Sequence, residues 1–189
     1  EVLHELLDLY GECKKKGVNK FDFLRYAAQI PGIYVPMFYD VHYRDDNTIA
    51  SIQMKYPFVP PKIQKRIIKD LDNAYYPTDM IVPFMDIVHD RAVLEIFRGC
   101  TRGCRFCQAG MLYRPVRERS KDRLEDLAKK IIDSTGYNEL SLSSLSTSDY
   151  SQLEDLIKDL MENFEEDRIS LALPSLRIDS FSKEFVEEV

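Results

Sequence analysis

Strand-like apolar runs alternate with amphipathic helices through the second half of this 189-residue chain. Residues 92–97 form the first run, and the helix predicted next has Ser120 as its N-cap and Gly136 after its last residue. Residues 140–145 and 169–173 are two further strand-like runs, with a second amphipathic helix between them. Strands and helices that alternate with short connections are typical of right-handed βαβ units, in which the strands are parallel.

This alternation accounts for only part of a closed barrel. Ser182 begins a further helix, and the sequence stops at Val189. Three strands with two complete helices make half a barrel, whose last strand would expose unpaired backbone groups. We therefore expect an α/β fold, with the first half of a partial (βα) barrel in residues 91–189. We also expect the natural protein to continue beyond Val189, and the open sheet edge to be covered by the first part of the chain or by self-association.

Residues 1–90 predict a small α+β appendage in front of the barrel. A helix that ends near Gly17 and a second helix over residues 21–30 come first. Residues 33–43 and 48–54 favour strands and flank a polar turn, which predicts a β-hairpin. Five prolines between residues 57 and 83 then indicate an extended connector. This part of the chain has no catalytic pattern.

The composition, with 44% hydrophobic and 31% charged residues, is ordinary for a soluble globular protein. No stretch approaches the roughly 18 apolar residues of a membrane span, and no export signal precedes the first helix. We therefore expect a cytoplasmic protein without a membrane partner. Four cysteines under reducing conditions argue against a disulfide framework. Three of them lie within eight residues, which indicates a metal site, whereas Cys13 is interpreted as an incidental thiol.

The three clustered cysteines, Cys100, Cys104 and Cys107, follow the first predicted strand with the spacing C-x₃-C-x₂-C. Thiolates are the usual protein ligands of iron–sulfur clusters, and short spacings let the chain wrap a compact [4Fe–4S] cube. Three thiolates leave the fourth iron without a protein ligand, so that iron can bind a substrate that receives an electron. Gly99 and Gly103 allow the tight backbone turns that bring the three sulfur atoms together.

Two other interpretations of the cysteine loop stay open at this point. A zinc site would need a fourth ligand from His89, His42 or Cys13, but zinc sites usually have two pairs of ligands and no second pair occurs here. An electron-transfer cluster would more often have a fourth cysteine within reach. Either interpretation makes the chain a zinc or electron-transfer module rather than an enzyme.

Residues 94–107, LEIFRGCTRGCRFC, resemble the opening of a radical S-adenosylmethionine (SAM) domain, including the aromatic Phe106 just before the last cysteine. Residues 108–120, QAGMLYRPVRERS, resemble one subgroup more narrowly. This is an uncharacterised group of cobalamin-binding-type radical SAM proteins, which are relatives of the methylthiotransferases. Residues 70–77, DLDNAYYP, and 81–83, IVP, look like the lead-in of that group, so the similarity covers most of the chain.

The resemblance implies the first half of a radical SAM partial barrel, a reaction and its cofactors. SAM would chelate the open iron of a [4Fe–4S] cluster. Reduction by an electron donor such as flavodoxin or ferredoxin would cleave SAM to methionine and a 5′-deoxyadenosyl radical, which abstracts hydrogen from an unknown substrate. A chain that lacks half of the barrel wall would be inactive alone. Cobalamin, which the group's name implies, would bind outside this chain, because the chain has no DxHxxG-like signature.

The resemblance also implies which residues contact SAM. Phe106 and Gly110 would lie beside the adenine. The stretch that binds the methionyl amine would fall at residues 144–148, where hydroxyls replace the family's paired glycines. The candidates there and after the third strand are Ser144, Ser146, Thr147, Ser148, Ser175 and Arg177. Arg177 would sit at the barrel mouth and pair with the SAM carboxylate, while the alternatives are helix-capping serines and a surface arginine.

A basic segment lies inside an acidic chain of net charge −6. Residues 149–189 contain twelve acidic and four basic residues, whereas residues 98–123 contain eight basic and two acidic ones. The basic ones are Arg98, Arg102, Arg105, Arg114, Arg117, Arg119, Lys121 and Arg123. They can contact the phosphates of an RNA or nucleotide substrate, neutralise a cluster and its thiolates, or form a solvated loop. The first alternative favours a narrower function, a methylation or methylthiolation type of modification of RNA or a ribosomal protein.

Overall fold

The computed structural model describes residues 2–85, 87–177 and 179. The chain divides into two compact units, Glu1–Ile67 and Ile68–Val189. The helix predicted to begin at Ser182 lies outside the described residues. None of the described helices has the length and apolar composition that a bilayer-spanning helix requires.

The first unit begins with two helices, α1 (Val2–Lys15) and α2 (Lys20–Ala27). Asn19 caps α2, because its side chain accepts a hydrogen bond from Asp22 N at 3.0 Å. Both helices were predicted from their apolar spacing. Helix α2 is shorter than predicted, because the backbone hydrogen bonds after Ala28 tighten into turns.

The predicted hairpin follows as β1 (Tyr39–Tyr43) and β2 (Ile49–Met54), which pair antiparallel. The preceding residues were also predicted as strand, but they contain a 3₁₀ turn at Pro36–Phe38. Pro36 lacks the N–H that a strand would donate, and its fixed φ suits the first turn of a helix. Phe38 is fully buried there. Three other aromatic rings meet its ring edge-on, with centroids no more than 5.6 Å from its own: Phe21, Tyr56 and Phe58.

The second unit contains a three-stranded parallel sheet with crossover helices. In chain order its elements are β3 (Ala92–Glu95), β4 (Phe97–Arg98), α3 (Ala109–Leu112), β5 (Arg117–Glu118), α4 (Lys121–Thr135), β6 (Glu139–Ser143), α5 (Leu153–Phe164) and β7 (Ser170–Ala172). The sheet order is β3-β6-β7, with α4 connecting the first two strands and α5 the last two. The fold class is mixed α/β, as predicted, and the partial barrel stays a prediction.

Capping and burial explain why these helices and strands lie where they do. Ser120 Oγ accepts a hydrogen bond from Arg123 N, and Gly136 ends α4 in the left-handed conformation at φ 68°. The core between sheet and helices is apolar and includes Leu94, Leu124, Ile131, Leu142, Leu156 and Ile157. Leu145 was predicted in the second strand, but β6 ends at Ser143 and Leu145 is exposed, because the chain turns at that point.

The second compact unit begins at Ile68, although the sequence placed the division near residue 90. Residues 68–77, called the lead-in below, are bonded to the sheet and to α4 by polar contacts, which the apolar pattern does not reveal. Tyr76 Oη donates to Val93 O at 2.8 Å and accepts from Glu95 N at 3.0 Å. Asp72 Oδ1 accepts from Ser120 N at 2.8 Å, at the start of α4. The predicted domain division at residue 90 stays a prediction. The second compact unit includes the lead-in.

Arg119 is a buried charge at the centre of these contacts, with a fully buried side chain. Its guanidinium donates to Leu71 O and to Glu95 O, and it forms an ion pair with the Glu95 carboxylate at 3.3 Å. It also lies over the Tyr76 ring, 4.9 Å from the centroid. One guanidinium therefore joins the lead-in to the end of the first strand of the sheet.

A short antiparallel ladder, β4 with β5, closes the loop of residues 99–116. Gly99 starts this loop at φ 99°, a conformation that L side chains rarely adopt. A Cβ atom on Gly99 would lie 2.4 Å from Tyr113 O and 2.6 Å from Pro115 O. The two ends of the loop therefore approach each other so closely that only glycine fits at this position.

Replacing Arg119 with methionine should lower the free energy of unfolding by about 3–5 kcal/mol, because Leu71 O and the Glu95 carboxylate lose a buried partner. Chemical denaturation followed by circular dichroism measures this loss. Lys130→Met is the control, since Lys130 pairs with Asp126 in an exposed position on α4 and should contribute about 1 kcal/mol or less. Equal losses in the two variants would contradict the role given to Arg119.

Replacing Gly99 with alanine should destabilise the protein by about 3 kcal/mol, from the left-handed backbone and the overlap with two carbonyl oxygens. Gly136→Ala is the control, because it has the same kind of φ with nothing within 4 Å of the added Cβ, and it should lose only about 1 kcal/mol. The same denaturation measurement compares them. A Gly99→Ala variant as stable as Gly136→Ala would show that the loop ends are not tightly packed.

Candidate functional site

The cysteine loop starts directly after β4 and carries three of the four thiols of the chain. Cys100 and Cys107 are half-buried and Cys104 is exposed, and all three are free thiols. Cys107 N donates to Cys104 O at 2.9 Å, which closes a tight turn between the second and third cysteine. The strand therefore delivers the thiols to the edge of the sheet at which the parallel strands end.

Helix α3 packs its first turn against this loop through two glycines. A Cβ atom on Gly110 would lie 3.4 Å from Gly103 N and 3.8 Å from Cys100 O, so the two backbones are in close contact. Arg114 Nε donates to Gly110 O, which holds the end of the short helix. Gly103 itself has φ 66°. The loop backbone is thus shaped by glycine at the positions between and beside the cysteines.

The donor set fits an iron–sulfur cluster in chemistry and spacing. Three thiolates on one tight loop are the donors that such clusters take from proteins. In the described part of the chain, no group of three or more His, Cys, Asp or Glu side chains is placed to hold a single metal ion. A [4Fe–4S] cluster binds each thiolate through a different iron, and its binding by this loop stays a prediction.

Asp149, in the loop after β6, binds arginines from the two neighbouring loops. Arg102 of the cysteine loop donates from Nε to Oδ2 at 2.7 Å and from Nη2 to Oδ1. Arg177, in the loop after β7, donates from Nη1 to Oδ1 at 2.9 Å. The hydrogen bond from Arg102, followed by that from Ser146, holds the pKa of Asp149 below its ordinary value. The loops that follow all three parallel strands therefore meet at one carboxylate.

The hydroxyls of residues 144–148, predicted to bind the methionyl amine, have three different surroundings. Ser144 Oγ and Thr147 Oγ1 lie 3.1 Å apart, and Ser146 Oγ donates to Asp149 Oδ2 at 2.8 Å. Ser146 and Thr147 are buried. Ser148 Oγ is buried without a hydrogen-bond partner among the described residues. The structure thus brings these four residues together in one loop, and their contact with SAM stays a prediction.

Ser175 and Arg177 lie beside that loop, as their position after the third strand predicted. Thr147 N donates to Ser175 O at 3.2 Å, so the backbones of the two loops are joined. The Arg177 guanidinium contacts the carboxylates of Asp149 and Asp179. The Arg177 guanidinium is therefore bonded to carboxylates of the protein. Its pairing with SAM stays a prediction and would involve this network.

The two residues predicted to flank the adenine have different surroundings. Gly110 is buried against Gly103, whereas the Phe106 ring is 94% exposed. A ring this exposed can stack on a base without displacing a protein neighbour. The role of Phe106 and Gly110 toward SAM stays a prediction.

A cavity of about 370 Å³ opens at the carboxyl ends of β3 and β6, beside Gly99. Its polar lining includes Glu95, Arg98, Ser143 and Ser144, and Phe97 and Leu145 add apolar surface. Arg98 forms a two-point ion pair with Glu95, with N–O distances of 2.6 and 3.0 Å. Such a volume with few convergent polar groups is typical of small-molecule sites.

Among the residues of this cavity, sequence reasoning assigned only Ser144 to SAM and named Gly99, Arg98 and Arg117 in other roles, whereas it missed Glu95 and Ser143. Glu95 and Ser143 are the last residues of their strands, and each follows a residue whose side chain is fully buried. Strand alternation places them on the face opposite the helices. A polar residue at the carboxyl end of each parallel strand was therefore the signal that could have found them.

Most of the basic segment is engaged in contacts within the second unit. Arg117 Nη1 donates to Ile68 O at 3.0 Å and Arg123 Nε to Asp72 O at 3.1 Å, while Lys121 pairs with Asp159. Arg98, Arg102, Arg114 and Arg119 have the partners given above. The segment therefore has a large structural role, which was not among the alternatives considered from the sequence.

The chain is similar to a protein of Methanocaldococcus jannaschii that is described as an uncharacterized protein. The two are 35% identical over 95 residues, which is 50% of this chain and 20% of the relative. The chain therefore matches about a fifth of the length of this curated relative.

The family comparison covers the part of the chain that contains the cysteine loop and the parallel sheet. A model of the Radical SAM superfamily matches residues 94–189, which is just over half of the chain. The match starts within β3 and includes all three clustered cysteines, α4, β6, α5 and β7. The chain therefore belongs to the Radical SAM superfamily.

Proposed function

We propose that the cysteine loop holds a [4Fe–4S] cluster through Cys100, Cys104 and Cys107, and that SAM is bound and reductively cleaved beside it. The observation that carries this proposal is the placement of three free thiols on a tight loop at the carboxyl edge of a parallel sheet. Binding sites of α/β proteins form at that edge, and family membership supports the same chemistry. A zinc or electron-transfer module is the competing function.

When bound and reduced, the cluster supplies the electron that divides SAM into methionine and a 5′-deoxyadenosyl radical able to abstract hydrogen. The residues of this chain bind SAM, orient it and shield it from water. Gly99 and Gly103 set the direction of the loop, and the β4–β5 ladder fixes its ends. The cavity is lined by Gly99, the residue before Cys100, and offers a place that is partly screened from water.

We further propose that SAM extends from the cysteine loop across the loops after β6 and β7. Phe106 and Gly110 would contact the adenine. The other proposed SAM-binding residues are Ser144, Ser146, Thr147, Ser148, Ser175 and Arg177. The hydrogen bond between the Ser144 and Thr147 hydroxyls and the one from Thr147 N to Ser175 O support this arrangement, because they hold both loops at the same edge.

The activity of the whole protein is a wider proposal, since the chain covers about a fifth of its curated relative. We propose a partial barrel, membership of the cobalamin-binding-type subgroup with cobalamin bound outside this chain, and a flavodoxin or ferredoxin as electron donor in the cytoplasm. RNA or a ribosomal protein is the proposed substrate class. An RNA would be bound largely by surfaces other than the basic segment, because that segment is mostly engaged within the protein.

Replacing any one of Cys100, Cys104 and Cys107 with alanine should lower the iron bound after anaerobic reconstitution from about four atoms per chain to well below one. Iron and sulfide analysis with absorption spectroscopy measures this. Cys13→Ala is the control, because Cys13 is buried in α1 of the other compact unit. A full cluster in the Cys104→Ala variant would refute the proposed ligand set.

The reduced, reconstituted full-length protein should convert SAM to 5′-deoxyadenosine and methionine, detected by chromatography and mass spectrometry. The product should fall to background in Cys104→Ala, because no cluster remains to deliver the electron, and should persist in Cys13→Ala. A protein that binds four irons but never cleaves SAM would instead support the electron-transfer module. A protein that binds one zinc ion through the same cysteines would support the zinc site.

A further inference from the structure

The carboxylate of Asp149 accepts hydrogen bonds from three side chains, one each from the cysteine loop, the loop after β6 and the loop after β7. Arg102 contacts both carboxylate oxygens, Arg177 contacts Oδ1, and Ser146 Oγ contacts Oδ2. The Asp149 side chain is only 20% exposed, so these charge-assisted bonds are partly protected from water. Because the Arg102 side chain is itself half exposed, Asp149 is the more shielded partner of this ion pair.

Arg102 occupies the position between the first two clustered cysteines, two residues from Cys100 and two from Cys104. A planar guanidinium that meets both oxygens of a carboxylate has its orientation fixed, not only its distance. The two hydrogen bonds to Asp149 therefore restrain the cysteine loop at this point.

Apolar packing offers little alternative support for this part of the loop. Residues 101–106 are all exposed, and so bury too little surface to order the backbone by the hydrophobic effect. Glycine at position 103 adds conformational freedom. The ion pair between Arg102 and Asp149 thus connects the exposed residues 101–106 to the loop after β6. Through Asp149 it also connects them to Arg177 in the loop after β7.

We infer that Asp149 is a positioning residue for the cysteine loop. It orders the loop through Arg102 before any cluster is present, and through Arg177 it ties that order to the loop after β7. An ordered loop presents its thiols in advance and so retains iron for longer, because less conformational freedom is lost on binding. The effect on iron rests on the proposed function, while the effect on loop order does not.

The first test removes the charge of Asp149 with the isosteric substitution Asp149→Asn in the full chain without iron. Trypsin should then cut after Arg105, a site that every variant used here retains, about three- to tenfold faster, as expected when charge-assisted hydrogen bonds are lost. Asp126→Asn is the matched control, because Asp126 also lies between two cations, Arg123 and Lys130, but on α4. Its cutting rate at the cysteine loop should equal that of the unaltered protein.

The second test measures iron in the reconstituted protein. Transfer of iron to a coloured chelator should be about three- to tenfold faster in Asp149→Asn than in Asp126→Asn. Arg102→Lys should lie between the unaltered protein and Arg102→Gln, because lysine restores the charge without the two-point geometry. Electron paramagnetic resonance of the reduced cluster should broaden in Asp149→Asn, which a merely structural change elsewhere would not produce.

The outcomes separate the two proposals. If Asp149→Asn and Arg102→Gln, both folded by circular dichroism, match the control in cutting rate and in iron transfer, the inference is overturned. If neither the unaltered protein nor any variant binds iron while the cutting rates differ as expected, the proposed function fails and the positioning role stands. If Asp149→Asn does not fold, Arg102→Gln decides, because Arg102 is half exposed and outside the core.

Discussion

Parallel pairing of β3 with β6, and of β6 with β7, is the constraint on which the rest of the second unit depends. Parallel strands that follow one another in the chain must each be followed by a helix that returns to the same starting edge. The loops at the opposite edge therefore converge, whatever their own sequences are. The cysteine loop, the serine-rich loop and the loop with Arg177 meet there for this reason. Asp149 then converts their convergence into specific contacts.

Charged groups are used inside the second unit to a degree that its acidic net charge conceals. Arg119 is fully buried and joins the lead-in to the first strand, while Arg117 and Arg123 bind backbone carbonyls of the same lead-in. Guanidinium groups suit this role, because their several planar donors can satisfy carbonyls that have no partner in a regular strand or helix. The lead-in is therefore held by hydrogen bonds from side chains rather than by the backbone hydrogen bonds of a strand pair.

The elements with strong local signals were predictable from the sequence, and those fixed by long-range contacts were not. The boundaries of α4 were readable because Ser120 and Gly136 act within one turn of the helix ends. The strand after it was predicted too long, because its apolar spacing continued to Leu145 while the backbone turned at Ser143. The contacts that include residues 68–90 in the second compact unit were not predictable from the sequence. Tyr76 and Asp72 bind the sheet and α4 across long stretches of chain, which no spacing pattern reveals.

The sequence by itself determined the chemistry that is available: three thiols at a short spacing, glycines around them, and a strand–helix alternation that places them at the edge of a parallel sheet. Ligand type and local spacing are properties of neighbouring residues, so they need no tertiary structure. Only the tertiary structure decided which partners the arginines and serines take. Arg102, Asp149 and Arg177 are 47 and 28 residues apart along the chain. Their contact exists because the crossovers return three strand ends to one edge, where hydrogen-bonding groups must find partners as water is excluded.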